Sequence, residues 1–254
     1  MEYGICNLSM VPIRAEGNER SEQVSQLLFG EVFVIIEYAE NWVKIITAFD
    51  DYTGWIGRLL FIGIDPVTAD VLAKNKPVLT FMTVTVAQKV SDGTMLYLPA
   101  GSTLPFLNGN ICIIGGEHFE IEGRYAYEGE SLVKTARSFL NSPYLWGGRT
   151  HFGIDCSGFT QAVFKLHGIR LLRDASLQAK QGEPIDKLSD AEVGDLAFFT
   201  NAEGRIAHVG ILLNNQEIIH ASGKVKIDSI DEQGIYSNEL KRYTHQLKTI
   251  RRIF

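Results

Sequence analysis

The sequence predicts a multidomain protein in which two small all-β barrels are followed by an α+β domain with an antiparallel sheet. Residues 1–125 consist of short apolar runs separated by turn residues, a pattern typical of small barrels. From Gly129 onward helical patterns come first and strand patterns follow, which favours an α+β domain. Because 254 residues are enough for all three, the predicted domains are residues 1–62, 63–125 and 126–254.

The strand predictions of the first half rest on alternating apolar runs and breakers. Breakers at residues 50–51, 91–93, 99–101 and 108–110 separate the runs. The composition of residues 21–31 favours neither a helical turn nor an extended arm, so the structure of this segment stays open. The predicted strands are residues 32–36, 42–46, 78–81 and 112–114.

The second half predicts two helices and then three strands. The first helix, over residues 131–140, places Leu132, Ala136, Phe139 and Leu140 on one face. The second helix is amphipathic and spans residues 155–167, and Gly168 supplies the left-handed residue that ends it. The strands are expected at residues 195–199, 208–213 and 217–220.

The composition excludes several classes of protein. Hydrophobic residues make up 45% and charged residues 21% of the chain, which is ordinary for a globular protein. A net charge of −6 without a Lys/Arg cluster argues against nucleic-acid binding. The sequence carries neither a membrane-spanning apolar run nor a secretory signal pattern. We therefore expect a cytoplasmic monomer without membrane contact, or a periplasmic or secreted protein if a signal peptide has been removed.

The cysteines indicate a reducing compartment and a reactive thiol. Cys6, Cys112 and Cys156 are far apart, and so sparse and odd a set is not a disulfide framework. Cys156 stands where a glycine-rich segment ends and a predicted helix begins. The helix dipole and the unpaired backbone N–H groups at such a position favour the thiolate, which is the nucleophilic form. Cys156 is therefore a candidate nucleophile.

A cysteine nucleophile needs a base, and two histidines are placed to supply one. His208 and His220 flank a predicted hairpin turn at Asn214 and Asn215. A two-residue loop would put the histidines on opposite faces, whereas a three-residue loop centred on Asn214 or Asn215, or a bulge, puts them on one face. If both are catalytic, the loop is odd-numbered or bulged. A zinc site built from Cys156 and the two histidines is disfavoured because the paired Cys or His spacings of zinc sites are missing. No metal or cofactor is expected.

The order of motifs in residues 126–254 resembles the NlpC-type cysteine peptidases, a papain-like family that cuts bacterial cell-wall peptides. The resemblance implies that Cys156 is the nucleophile, His208 the general base and His220 the residue that orients it. The thiol pKa would then fall below neutrality, and the Cys156 backbone N–H would stabilise the oxyanion with help from Tyr144. The matching blocks are Tyr144-x-Trp-Gly-Gly, Asp155-Cys-Ser-Gly-Phe, Gly168-Ile-Arg-Leu, Gly194-Asp-Leu-Ala-Phe-Phe, His208-Val-Gly-Ile and Ile219-His-Ala-Ser.

The N-terminal half narrows the resemblance. The segment from Trp42 to Ile56, with a Gly54-Trp55 pair, resembles bacterial SH3-like domains. Two such domains before this peptidase domain resemble the γ-D-glutamyl-L-diamino acid endopeptidases that recycle cell-wall peptides. The resemblance implies a small peptide substrate, L-Ala-γ-D-Glu-diamino acid, with a free N-terminal L-Ala. We expect cleavage after the γ-linked D-glutamate.

The same resemblance implies the substrate-binding residues. Asp174 would bind the substrate ammonium, although it could equally serve only as a helix N-cap. Tyr144 and Trp146 would wall the pocket, the alternative for Trp146 being core packing. Asp155 and Ser157, next to the nucleophile, complete the candidates in this domain.

Residues of the first barrel are expected to close the site. Tyr52 and an acidic residue would cap it, with Glu22 chosen over Glu16 and Glu19. Each glutamate could instead be an ordinary surface residue. Two other functions stay open: a secreted hydrolase whose barrels bind intact peptidoglycan, and a non-catalytic peptide-binding protein with a vestigial site.

Overall fold

The fold was analysed in a computed structural model that describes residues 1–123 and 129–254. The chain forms two compact units, residues 1–128 and 129–254. The N-terminal unit begins with an antiparallel sheet of strand order β3-β2-β6-β5-β4-β1-β7. The open segment at 21–31 proves to be extended, because most of it forms β3. The strands are β1 (Glu2–Ile5), β2 (Met10–Arg14), β3 (Gln23–Leu28), β4 (Val32–Tyr38), β5 (Trp42–Thr47), β6 (Thr53–Gly57) and β7 (Ile62–Ile64).

A helix that the sequence analysis missed links this sheet to a second one. Helix α1 (Pro66–Lys74) begins after Asp65, whose carboxylate accepts hydrogen bonds from the backbone N–H groups of Val67 and Thr68. An acidic N-cap followed by proline at the first helical position is a known signal for the start of a helix, so α1 could have been predicted. The second sheet has the order β10-β11-β8-β9. Its strands are β8 (Val84–Lys89), β9 (Met95–Pro99), β10 (Ile111–Ile114) and β11 (Glu117–Glu122).

The predicted strand at residues 78–81 is wrong. Within that segment Leu79 forms only an isolated bridge with Thr103, and Thr80 bonds through its side chain to the carbonyl of Pro99 at 2.7 Å. The apolar run was recognised, but its residues are fixed by loop contacts rather than by a strand ladder.

The two N-terminal sheets share one hydrophobic core. Ile5 and Phe29 of the first sheet region cluster with Ala87, Leu98 and Phe119 of the second. The rings of Phe29 and Phe119 meet edge to face at 5.2 Å between centroids. The predicted boundary between residues 62 and 63 falls inside β7. A second SH3-like barrel is not confirmed and stays a prediction.

The C-terminal unit has the predicted order of helices before strands. Gly168 follows α3 with a φ of 76°, as expected of a helix stop. Among the described residues, no helix is long and apolar enough to cross a membrane. The elements are α2 (Leu132–Ser138), β12 (Arg149–Thr150), β13 (Gly153–Ile154), α3 (Cys156–Leu166), α4 (Ala175–Gln178), β14 (Glu183–Ile185), a 3-10 turn (Leu188–Asp190), β15 (Leu196–Thr200), β16 (Ile206–Leu212), β17 (Glu217–Ser222), β18 (Lys224–Asp231), β19 (Gly234–Ser237) and β20 (Arg242–Arg252).

The antiparallel sheet of this unit closes on itself. The long strand β20 pairs with β15 along one part and with β19 along another, so strands β15 to β20 form a ring. Helix α3 packs against β16 and β17, and Phe159 of α3 meets Phe139, which follows α2, at 5.8 Å between ring centroids. Every residue of α3 is buried, so the helix has no exposed face of the kind that the predicted amphipathic pattern implies. The start of a buried helix thus lies against the strand that carries His208.

Candidate active site

Asp155 fixes the start of the helix that presents Cys156. It is the N-cap of α3, and its Oδ1 accepts a hydrogen bond from the Gly158 N–H at 2.7 Å. Its Oδ2 accepts from the N–H of Gly147 at 2.8 Å. One carboxylate therefore ties the glycine-rich segment to the helix terminus and places Cys156 at the first helical position.

A buried arginine holds this carboxylate in turn. Arg173 is 1% exposed and donates to Asp155 Oδ1 at 3.0 Å and Oδ2 at 2.5 Å. Its guanidinium also donates to the hydroxyl of Ser157 at 2.8 Å. The polar atoms of Asp155 and Ser157 are thus engaged within the protein, and this geometry gives no support to their predicted contact with substrate. They hold the start of the helix that carries Cys156.

Two glycines allow the segment before Cys156 to touch the helix. A Cβ on Gly158 would lie 2.1 Å from the carbonyl oxygen of Gly148, and a Cβ on Gly148 would lie 2.3 Å from that of Gly153. Real Cβ atoms do not approach so closely, so a side chain on Gly158 would push the helix start away from Gly148, and one on Gly148 would push away the backbone at Gly153. This close approach explains why the Gly-Gly and Cys-Ser-Gly motifs occur together.

The hairpin that carries the histidines has the predicted odd loop. The register pairs Gly210 with His220 and Leu212 with Ile218, and the Leu213 N–H bonds to the Glu217 carbonyl. The loop is therefore residues 214–216, centred on Asn215, and both histidines lie on one face. His208 Nε2 lies 2.8 Å from His220 Nδ1. The geometric condition set by the sequence analysis is confirmed.

Two groups next to this pair were missed. His220 Nε2 lies 3.2 Å from Asp228 Oδ2, and Lys226 Nζ lies 3.2 Å from the same oxygen. The sequence did hold a signal for them, because a turn at Gly223 pairs His220 with Lys226 and brings Asp228 within diagonal reach.

The other missed residue is His245 on β20. Its ring stacks on that of His208 with 4.1 Å between centroids and 23° between planes, while Thr244 Oγ1 lies 2.8 Å from its Nδ1. No local pattern predicts this contact, because it depends on β20 closing the ring of strands. The stack restricts the plane of the His208 imidazole.

Cys156 contacts the strand that carries His208, but its burial disfavours the thiolate. The backbone N–H of Val209, next to His208, bonds to the Cys156 sulfur and favours its ionised form. Burial nevertheless outweighs this and raises the pKa of the Cys156 thiol to about 12. Burial also lowers the pKa of His208 well below its usual value. In the substrate-free enzyme burial therefore opposes the predicted fall of the thiol pKa and favours the neutral form of both groups.

Tyr144, Trp146 and Asp174 differ in their burial and in their contacts. Burial and the nearby Cys156 raise the pKa of Tyr144, which keeps its phenol protonated as a donor beside the sulfur. Trp146 is 58% exposed, so the core-packing alternative is wrong. Asp174 occupies the N-cap position of α4, yet among the described residues its carboxylate makes no capping bond to that helix. Their contact with substrate remains a prediction.

The predicted capping residues belong to the N-terminal unit. Tyr52 is half-buried, and its backbone exchanges hydrogen bonds with Thr47. Glu22 is exposed immediately before β3, and its carbonyl accepts from the Ala15 N–H. Within residues 1–123 and 129–254, no group of three His, Cys, Asp or Glu side chains is arranged to hold a metal ion.

Comparison with known proteins agrees with this arrangement. Residues 141–244 match the NlpC/P60 family, and residues 13–58 match the bacterial dipeptidyl-peptidase Sh3 domain. The gamma-D-glutamyl-L-lysine dipeptidyl-peptidase of Bacillus subtilis (strain 168) is 31% identical over 85% of this chain and 78% of its own. The dipeptidyl-peptidase 6 of Lysinibacillus sphaericus is 28% identical over 88% of this chain and 90% of its own.

A solved structure shares the whole architecture. The crystal structure of an NlpC/P60 family protein from Bacillus cereus ATCC 10987 superposes with a TM-score of 0.80, covering 99% of both chains at 19% identity. This match concerns the fold, while the sequence matches carry the family. With an SH3-like N-terminal domain and an antiparallel-sheet domain that holds a cysteine beside a histidine pair, the chain belongs to the NlpC/P60 family of cysteine peptidases.

Proposed function

We propose that the protein hydrolyses the γ-D-glutamyl to diamino acid bond of short cell-wall stem peptides with a free N-terminal L-Ala, as in recycling of these peptides. The observation that carries the reaction type is the contact of 2.8 Å between His208 on β16 and His220 on β17. Val209, the residue after His208, donates its backbone N–H to the Cys156 sulfur. Support for the bond cleaved comes from relatives named as gamma-D-glutamyl-L-lysine dipeptidyl-peptidases.

Acylation transfers one proton and exchanges one bond. As the Cys156 sulfur attacks the γ-carbonyl carbon, its proton passes to His208, so the thiolate and imidazolium charges form together and stabilise each other. Breakdown of the tetrahedral intermediate breaks the C–N bond, and His208 gives the proton to the leaving amine of the diamino acid. The backbone N–H at the start of α3 and the Tyr144 hydroxyl are the proposed oxyanion donors.

Deacylation reverses the roles. Water attacks the thioester while His208 takes one of its protons, and the product leaves as the carboxylic acid, which ionises in solvent, while the proton on His208 returns to Cys156. His220 keeps the imidazole of His208 oriented through both halves of the cycle. The buried site makes neutral starting groups the favoured resting state, so charge separation is confined to the reacting complex.

Recognition of the substrate amine distinguishes this function from the alternatives. Asp174 would form a charge-assisted hydrogen bond with the ammonium, with Tyr144 and Trp146 lining the pocket. A small closed pocket would exclude polymeric wall strands.

Acetylating the substrate amine is expected to lower kcat/KM by at least about 30-fold, because the half-buried Asp174 carboxylate loses its charged partner. The test compares L-Ala-γ-D-Glu-L-Lys with its N-acetyl form by chromatography of the released amino acid. Asp174→Asn should narrow the difference in kcat/KM between the free and the acetylated peptide. Asp186→Asn, at an exposed carboxylate of the same unit, should leave that difference unchanged. Equal cleavage of both peptides, or cleavage of intact peptidoglycan, would favour the secreted wall hydrolase. Binding without cleavage would favour the non-catalytic module.

The stacked ring of His245 predicts a smaller effect on rate. His245→Ala should lower kcat about 3- to 10-fold, because an aromatic pair contributes about 0.5–1.5 kcal/mol of positioning. His245→Phe keeps a ring against His208 and should retain kcat within about threefold. Steady-state kinetics on the tripeptide checks both variants. Equal losses in the two variants would show that the imidazole chemistry, and not the stack, is what matters.

A further inference from the structure

A buried row of polar groups continues beyond His220 to Asp228. The Asp228 carboxylate is 2% exposed. Its Oδ2 lies 3.2 Å from His220 Nε2 and 3.2 Å from Lys226 Nζ, and its Oδ1 accepts from the Asn238 N–H at 2.9 Å. Three donors converge on this one buried carboxylate and favour its ionised form.

The charge state of Asp228 follows from these bonds. Burial acts to raise its pKa, but the bonds from His220, the Asn238 amide and Lys226 hold the pKa at about 2. At neutral pH an ionised carboxylate only accepts hydrogen bonds. The hydrogen of the His220–Asp228 contact is therefore on His220 Nε2. Lys226 balances the carboxylate charge, so the pair buries no net charge.

The position of the hydrogen on His220 in turn determines the position of the hydrogen on His208. Burial lowers the pKa of His220, so the ring is neutral and carries a single hydrogen. With that hydrogen on Nε2, its Nδ1 can only accept, and His208 Nε2 at 2.8 Å must donate. A neutral His208 with its hydrogen on Nε2 has an unprotonated Nδ1, which is the nitrogen able to take the Cys156 proton.

We propose that Asp228 is a positioning residue that sets the tautomers of both histidines and so keeps His208 competent as the base. The inference rests on the proposed catalytic roles of Cys156, His208 and His220. Asp228 itself touches none of the reacting atoms.

The opposite tautomers would stop the reaction. If the group at position 228 donated to His220 Nε2, the His220 hydrogen would move to Nδ1. His220 would then donate to His208 Nε2, and the His208 hydrogen would move to Nδ1. A protonated Nδ1 cannot accept the thiol proton, so kcat would fall although all three catalytic side chains are present. An asparagine at this position offers such a donor at the same size.

The experiment measures tautomers and kinetics on the full chain with the same set of variants. Nitrogen-15 NMR of labelled histidines should show protonated Nε2 and unprotonated Nδ1 on both His208 and His220 in the wild-type protein. Asp228→Asn should change this pattern and lower kcat on the tripeptide roughly 10- to 100-fold at nearly constant KM. Asp186→Asn, the control at an exposed carboxylate, should leave tautomers and kcat unchanged.

Several results would overturn the inference. A wild-type His220 protonated on Nδ1 contradicts it directly, and this measurement needs no folded variant. Asp228→Asn with unchanged tautomers, or with kcat within twofold of wild type, contradicts it as well. The tautomer measurement is made without substrate, so it separates failure of this inference from failure of the proposed substrate, which would leave the expected tautomers in a protein that does not cleave the tripeptide.

Discussion

Cys156→Ala is expected to abolish peptide cleavage, lowering kcat by roughly a millionfold, as loss of the nucleophile does in other covalent hydrolases. The physical reason is that His208 cannot activate a side chain without a removable proton, and water is left as the attacking group. The measurement is release of the diamino acid from the tripeptide over long incubations at high enzyme concentration.

The matched control uses a thiol in an equally buried place. Cys112 is fully buried, and burial raises its pKa to about 12, the same value as for Cys156. Burial of the thiol therefore does not distinguish the nucleophile from a core residue. What distinguishes Cys156 is the helix start and the neighbouring strand with Val209 and His208. Cys112→Ala should keep kcat within about twofold, and a Cys156→Ala protein with more than a thousandth of wild-type kcat would refute the assignment.

Arg173→Met is expected to be the most destabilising change in the C-terminal unit, at about 3–5 kcal/mol of unfolding free energy. Removing the guanidinium leaves the Asp155 carboxylate buried without a charged partner, and the described donors that remain are the amides of Gly147 and Gly158 and the Ser157 hydroxyl. Because Asp155 also caps α3, the start of that helix should loosen and activity should fall with stability.

Hydrogen exchange of the α3 amides during urea titration measures this loss within the C-terminal unit. Arg205→Met is the control, because its ion pair with Glu203 is exposed and such pairs contribute about 0–1 kcal/mol. The double variant Arg173→Met with Asp155→Asn should regain part of the stability, since no uncompensated charge is then buried. If Arg173→Met and Arg205→Met cost the same, the buried network does not stabilise the site.

Much of the fold was predictable because it is encoded locally. The helix at Cys156, its stop at Gly168 and the hairpin of the two histidines follow from apolar periodicity, glycine and turn residues. The strand predicted at 78–81 failed because an apolar run does not reveal whether a partner strand exists. Helix α1 was missed although its Asp65-Pro66 start was visible.

The candidate site was likewise predictable only where its residues lie on locally encoded elements. The candidate nucleophile Cys156 and the contact between His208 and His220 could be predicted because these residues lie on elements with recognisable motifs. The bonds between Asp155 and Arg173, a residue 18 positions away, were not predicted, and the contact of Asp155 with substrate stays a prediction. His245 was missed because its contact with His208 depends on closure of the strand ring by β20.

The kind of chemistry and the order of a small β-rich part before an α+β domain could be predicted from local patterns, because helix starts, turns and strand alternation act over a few residues. The odd-numbered hairpin loop could be predicted in the same way. The ionisation of the site could not, because burial and distant partners shift the pKa values of Cys156, His208 and Asp228. The ionisation of a group depends on every group packed around it, and those neighbours come from distant parts of the chain.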